Sequence, residues 1–150
     1  MSAEHTRILL ADDHAVVREA LKLLLEHEGF EVVGEAADGH AAVRIARTAQ
    51  PDVAILDLAM PLLNGIDAAR ELQSAAPGAK AILLVGSASD EQVLAALHAG
   101  IQACVLKSHE ARELIRAIHE VRRGDVYLSP SLTRAVVDAY VGGELELPAS

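Results

Sequence analysis

The sequence predicts an α/β domain built on a mostly parallel, doubly wound sheet. Five short apolar runs alternate with segments of helical periodicity, the pattern of strands joined by crossover helices. The first, third and fourth runs are apolar throughout, as strands buried on both faces are. Charged residues stand directly after the first, third and fifth. At 150 residues the chain is about one domain with a single sizeable core.

The elements follow in order. Ile8–Ala11 is the first strand, stopped by Asp12 and Asp13. From His14 to Glu28, Val17, Ala20, Leu21, Leu24 and Leu25 recur at helical spacing, and Gly29 closes that helix. Glu31–Gly34 is a second strand, and Asp38 caps a helix reaching about Thr48. Pro51 and Asp52 break the chain ahead of Val53–Leu56, and Asn64 caps a helix to about Ala75. After the Pro77-Gly78 turn, Lys80–Val85 is the most apolar strand. Asp90–Ala99 is helical and ends at Gly100; Ala103–Leu106 is the fifth strand and His109–Arg122 the fifth helix. Residues 1–124 thus form the domain, and 125–150 an extension. Within it, Ser129 caps a helix over Ser131–Val141 that starts near Pro130, and GGELELPAS reads as linker, the mark of a trimmed chain.

Composition narrows the function. Apolar residues make up 51% of the chain, but Phe30, Tyr127 and Tyr140 are its only aromatics, so the core is aliphatic. A formal charge of −9 argues against a reader of phosphate backbones. The lone Cys104 gives neither a disulfide framework nor a zinc pattern. The opening MSAEHTR has no apolar leader and no run approaches spanning length, so a cytoplasmic protein without a membrane segment is expected.

In a parallel sheet the residues that follow the strands gather at one edge, where open α/β folds place their ligands. Asp12, Asp13 and Asp57 meet there, with Lys107. Converging carboxylates resist ionisation unless a cation is shared among them, and Mg²⁺ suits such a set. Carboxylates, Mg²⁺ and an ammonium make a phosphoryl site, in which a carboxylate can itself accept the group as an acyl phosphate. Asp57, alone on its loop, is the candidate acceptor. The same residues also fit metal binding without transfer, and one of Asp12 and Asp13 fits a helix cap.

The stretches ILLADDHAVVREALKLLLE, VVGEAADG, PDVAILDLAMPLLNG, ALHAG and VLKS together resemble the receiver domain of two-component response regulators, from about Arg7 to Leu132. The resemblance is to the NarL/FixJ type, in which a helix-turn-helix DNA-binding domain follows. It implies a flavodoxin-like five-stranded parallel sheet in the order 2-1-3-4-5 with helices on both faces. It implies that Asp57 is the phosphoacceptor, that Asp13 touches Mg²⁺ directly and Asp12 through water, and that the Ala59 backbone carbonyl is a further ligand. Lys107 matches the lysine that pairs with the phosphoryl group; Pro61 and Gly65 match the residues that shape the loop. A sensor histidine kinase is the implied donor, and the domain promotes both its own phosphorylation and its dephosphorylation. The implied output is transcription regulation.

Two positions depart from the family. Gly86 stands where a Thr or Ser normally ends the fourth strand, leaving Ser87 one residue late as the candidate hydroxyl. Cys104 stands where an aromatic residue normally turns inward, and a small packed thiol offers no comparable lever. A phosphorylation-independent interaction module is therefore the alternative to a phosphoaccepting switch. A hydrolase with a nucleophilic aspartate would share the chemistry but lacks a cap domain. Homodimer contacts are expected through the fifth helix, with Arg112, Arg116, Arg122 and Arg123 outside, or through Leu132, Ala135, Val136 and Val137. DNA is expected to be met only by a domain absent from this chain.

Overall fold

The computed structural model describes residues 6–86, 90–107 and 111–142. Within them lie β1 (Arg7–Ala11), α1 (Ala15–His27), β2 (Glu31–Ala36), α2 (Gly39–Ala49), β3 (Val53–Asp57), α3 (Gly65–Ala75), β4 (Lys80–Val85), α4 (Asp90–His98), β5 (Ala103–Leu106), α5 (Ala111–Arg122), β6 (Tyr127–Leu128) and α6 (Pro130–Val141). The strands form one sheet in the order β2-β1-β3-β4-β5-β6, with every neighbouring pair parallel. The expected 2-1-3-4-5 order holds. The expectation of five strands is corrected by β6, which extends the sheet beyond β5.

The unbroken apolar runs have a direct cause. Ile8, Leu10, Val53, Ile55, Ile82, Leu84 and Val105 face one core layer, closed by α1 and α5. Their neighbours Leu9, Ala11, Ala54, Leu56, Leu83, Val85 and Cys104 face the other, under α2, α3, α4 and α6. Because side chains alternate across a strand, both sets must be apolar. β2 lies at the sheet edge and continues past Gly34 through Glu35, whose carboxylate meets Arg18 and Lys22 on α1. An edge strand tolerates such charges, which explains why its apolar run ends before the strand does.

The helix caps at Asp38 and Asn64 are as expected: Asp38 accepts from the Ala41 N–H at 2.8 Å and Asn64 from the Asp67 N–H at 2.9 Å. Ser129 does not cap α6 with its side chain. Its backbone carbonyl receives the Leu132 and Thr133 amides, while its hydroxyl is engaged with Leu106 and Glu113.

The apolar stripe of α6 closes on the chain's own core rather than standing free: Leu132 and Val136 are buried and Val137 is exposed. The side chain of Ala135 lies outside the described residues. Three of the four arginines expected on the outside of the fifth helix also have partners within the chain. Arg122 faces Asp52, Arg123 pairs with Glu120, and Arg116 lies over the Tyr127 ring. Among the described residues, no helix is long and apolar enough to cross a membrane.

Candidate functional site

β1 and β3 are neighbours in the sheet, yet the chain leaves them in opposite directions, β1 toward β2 and β3 toward β4. A crevice opens where the order reverses, outside the strands' carboxyl ends. Asp12 follows β1 and Asp57 ends β3, and both are buried, at 0% and 2% exposure. Lys107 follows β5, its amide donating to the Val85 carbonyl at 2.8 Å, so β4 holds it at the same edge.

The loop after β3 is pinned on both sides. The Leu58 amide reaches the Leu84 carbonyl at 2.9 Å, and the Gly65 amide returns to the Leu58 carbonyl at 3.2 Å. Gly65 begins α3 directly over the acceptor strand, where a Cβ would stand 2.5 Å from the Asp57 carbonyl oxygen and 2.7 Å from Leu83 Cδ1. Glycine is required there by close approach.

Lys107 Nζ donates to Asp57 Oδ2 at 3.0 Å and lies 2.9 Å from Asp12 Oδ2, an ion pair without good hydrogen-bond alignment. Asp57 Oδ1 accepts from the Ala59 amide at 3.2 Å. Asp12 Oδ1 accepts from the backbone N–H of His14, the N-cap of α1, at 2.8 Å, so Asp12 serves the helix start as well as the site. Asp13 stands at the mouth, more open to solvent.

Two participants were not legible in the sequence. The His14 ring places Nδ1 3.2 Å from Asp12, 3.1 Å from Asp13 and 4.0 Å from Asp57. Arg18 donates through Nη1 to the Asp12 carbonyl at 2.6 Å. Adjacency of His14 to the acidic pair was the one available signal, and it says nothing about where a ring turns.

The electrostatics follow from one ammonium shared between two buried carboxylates. Burial works to raise the Asp12 carboxyl, but the His14 amide, Lys107 and the His14 ring outweigh it and hold Asp12 below its usual value. Burial raises Asp57, and the negative charge of Asp12 adds to it, overcoming the help from Lys107 and Ala59. Burial works against the Lys107 ammonium, yet its two carboxylate partners raise its pKa. Asp57 is the under-compensated member.

One ligand atom from each of Asp12, Asp13, His14 and Asp57 lies within 4.8 Å of the others. This donor set fits a divalent cation: hard carboxylate oxygens, an open side at Asp13 for waters, and an excess of negative charge for it to neutralise. Beside Lys107, a pocket of about 60 Å³ between α1, β5 and α5 is lined mainly by Val17, Leu21, Leu84, Val105 and Leu114. That volume is far below the ~300–1,000 Å³ of a small-molecule site.

At the end of β4, Gly86 is exposed, and no described atom lies within 4 Å of where its Cβ would stand. Ser87 lies outside the described residues. Cys104 is buried, and burial pushes its thiol up to about 12, so it is a packed, unreactive thiol.

The chain matches the family model of the response regulator receiver domain over residues 8–119. It is 36% identical over 126 residues to the uncharacterized transcriptional regulatory protein YxjL of Bacillus subtilis, covering 83% of this chain and 58% of that protein. It is 34% identical over 131 residues to the nitrate/nitrite response regulator protein NarL of Escherichia coli, covering 87% of this chain and 61% of that protein. A crystal structure of a LuxR-family two-component response regulator from Aurantimonas superposes with a TM-score of 0.84 at 34% identity, covering 90% of this chain and 97% of that one. The chain spans about three fifths of the length of these two curated relatives. With Asp12, Asp13, His14 and Asp57 clustered in a way consistent with a phosphoaccepting site, the chain belongs to the response regulator receiver domain family, in its NarL/FixJ branch.

Proposed function

We propose that Asp57 accepts a phosphoryl group from the phosphohistidine of a sensor histidine kinase, with Mg²⁺ held by Asp12, Asp13, Asp57 and the Ala59 carbonyl. The observation that carries this reading is the buried Asp57 carboxylate, held under Lys107 at 3.0 Å beside a second buried acid. A carboxylate so placed is fixed in orientation yet incompletely neutralised, which suits a nucleophile.

In the transfer, a carboxylate oxygen of Asp57 bonds to phosphorus as the P–N bond breaks, its electron pair returning to the donor imidazole. A bound Mg²⁺ supplies charge neutralisation for the carboxylates and the incoming phosphoryl oxygens. The ammonium of Lys107, already directed at Asp57 Oδ2, pairs with the oxygens of the arriving group. Ala59 steadies the other carboxylate oxygen through its amide. Water attack on the acyl phosphate then releases inorganic phosphate and restores the carboxylate.

The phosphorylated state would act on transcription, as the name of the Bacillus subtilis relative suggests, through a DNA-binding domain of the kind the family resemblance implies. Homodimerisation through α5 or the extension belongs to the same proposal. A phosphorylation-independent interaction module is the second reading, favoured by the open position at Gly86 and the small buried Cys104.

Intact mass after incubation with acetyl phosphate and Mg²⁺ tests the first against the second. A gain of one phosphoryl group, absent in Asp57→Asn and suppressed by chelator, is expected. An unmodified wild-type chain would leave only the interaction module.

A further inference from the structure

Ser129 is wholly buried at 0% exposure, although it lies in the extension beyond α5. Its backbone amide donates to the Cys104 carbonyl at 3.0 Å, continuing the ladder between β5 and β6. The next step of a parallel ladder would bring the Leu106 amide to the Ser129 carbonyl. That carbonyl is already used by Leu132 and Thr133 at the start of α6. The hydroxyl takes its place: Ser129 Oγ accepts from the Leu106 N–H at 3.0 Å and donates to Glu113 Oε1 on α5.

Leu106 immediately precedes Lys107. The end of β5 is therefore gripped from both sides, by Ser129 on the Leu106 amide and by the Val85 carbonyl on the Lys107 amide. Beyond Ser129 the chain enters α6, whose Leu132 and Val136 share a core layer with Cys104 and Val85. One hydroxyl thus joins three elements: the strand that carries the site's ammonium, the helix α5, and the segment leading out of the domain.

We propose that Ser129 is a positioning residue, fixing Lys107 over Asp57 and coupling the β6–α6 segment to the occupancy of the site. The proposal rests on the reading of Asp57 as phosphoacceptor. It supplies a route outward that needs neither a hydroxyl at position 86 nor an aromatic ring at position 104. Coupling of this kind is reciprocal: whatever loosens Ser129 weakens the site, and whatever fills the site shifts the segment.

The test is amide NMR of the chain titrated with beryllofluoride in saturating Mg²⁺, on wild type, Ser129→Ala and Ser129→Thr. In wild type, the amides of 57–59 and of 128–133 shift together with one saturation curve. In Ser129→Ala the amides of 57–59 still shift, at an apparent affinity roughly tenfold weaker, as a displaced positioning contact implies. The 128–133 amides no longer follow, and Ser129→Thr restores both. Wild-type amides at 57–59 that respond while 128–133 stay still would overturn the coupling, even if the alanine variant failed to fold. An alanine variant that binds as wild type does would overturn the positioning role. No response at 57–59 in wild type would instead remove the phosphoacceptor reading, and this proposal with it.

Discussion

At the edge where β3 and β4 end side by side, Asp57 is enclosed and Gly86 stands in the open. Asp57 is met by Lys107, Ala59 and the overlying turn of Gly65; a side chain at Gly86 would touch no described atom. The contrast separates two tasks. Accepting a phosphoryl group needs a carboxylate held rigidly in a strongly charged pocket, and the tight packing around β3 supplies that. Reporting the event needs a part that moves, and Gly86 offers no side chain for it; Ser87, the candidate hydroxyl that follows, lies outside the described residues.

The two glycines give the sharpest way to break this comparison. Gly65→Ala forces a methyl group into the Asp57 carbonyl and Leu83, and a cost of about 3 kcal/mol is expected, read from denaturant unfolding. A neutral result there would mean that the acceptor strand is not tightly packed. Next in size, Lys107→Ala should slow acetyl-phosphate labelling roughly hundredfold, the scale on which a preorganised charge acts. Labelling at the wild-type rate would remove Lys107 from the site.

Asp57→Asn should stabilise the metal-free protein at neutral pH by about 1–2 kcal/mol, the scale of an incompletely compensated buried charge. Lys107 keeps Asp12 as its partner in that variant. The sign follows from the raised Asp57 value in the fold. The native state holds this proton more tightly than the unfolded chain does. Stability therefore falls as pH rises from about 3.9 through the raised value, and stays reduced above it. Thermal melts of both chains in chelator across that range check it: the asparagine variant should lose that part of the slope. The smallest effect is Gly86→Ala, expected to stabilise by about 0.5 kcal/mol through the unfolded chain alone. It is opposite in sign to Gly65→Ala, and a large loss would show that the β4 end is packed after all.

The same contrast explains what the sequence makes legible. Strand ends, sheet class and the meeting of Asp12, Asp13, Asp57 and Lys107 follow from apolar runs that stop at charged residues, because backbone topology alone gathers those positions. β6 escaped because Tyr127–Leu128 is two residues long, too short for any periodicity. Ser129 reads as a helix cap because serine before proline so often is one. Its actual use depends on which carbonyl the turn into α6 consumes, a matter of three dimensions. His14 reaches the Asp12 carboxylate, and Arg18 the Asp12 backbone carbonyl, through side-chain direction, which spacing does not encode. Gly34 hides a different irregularity: the β1–β2 register slips between Ile8 and Leu9, so that Leu9 pairs with Gly34 and Val33 is passed over.

The central claim is that the carboxylate of Asp57 is the atom group that takes the phosphoryl. Borohydride reduction of the chain after reaction with acetyl phosphate, followed by peptide mapping, reads this directly, since an aspartyl phosphate is converted to homoserine where it stood. Homoserine at position 57 is the predicted result. Homoserine at another aspartate, or none in a chain that has gained phosphoryl mass, would contradict it.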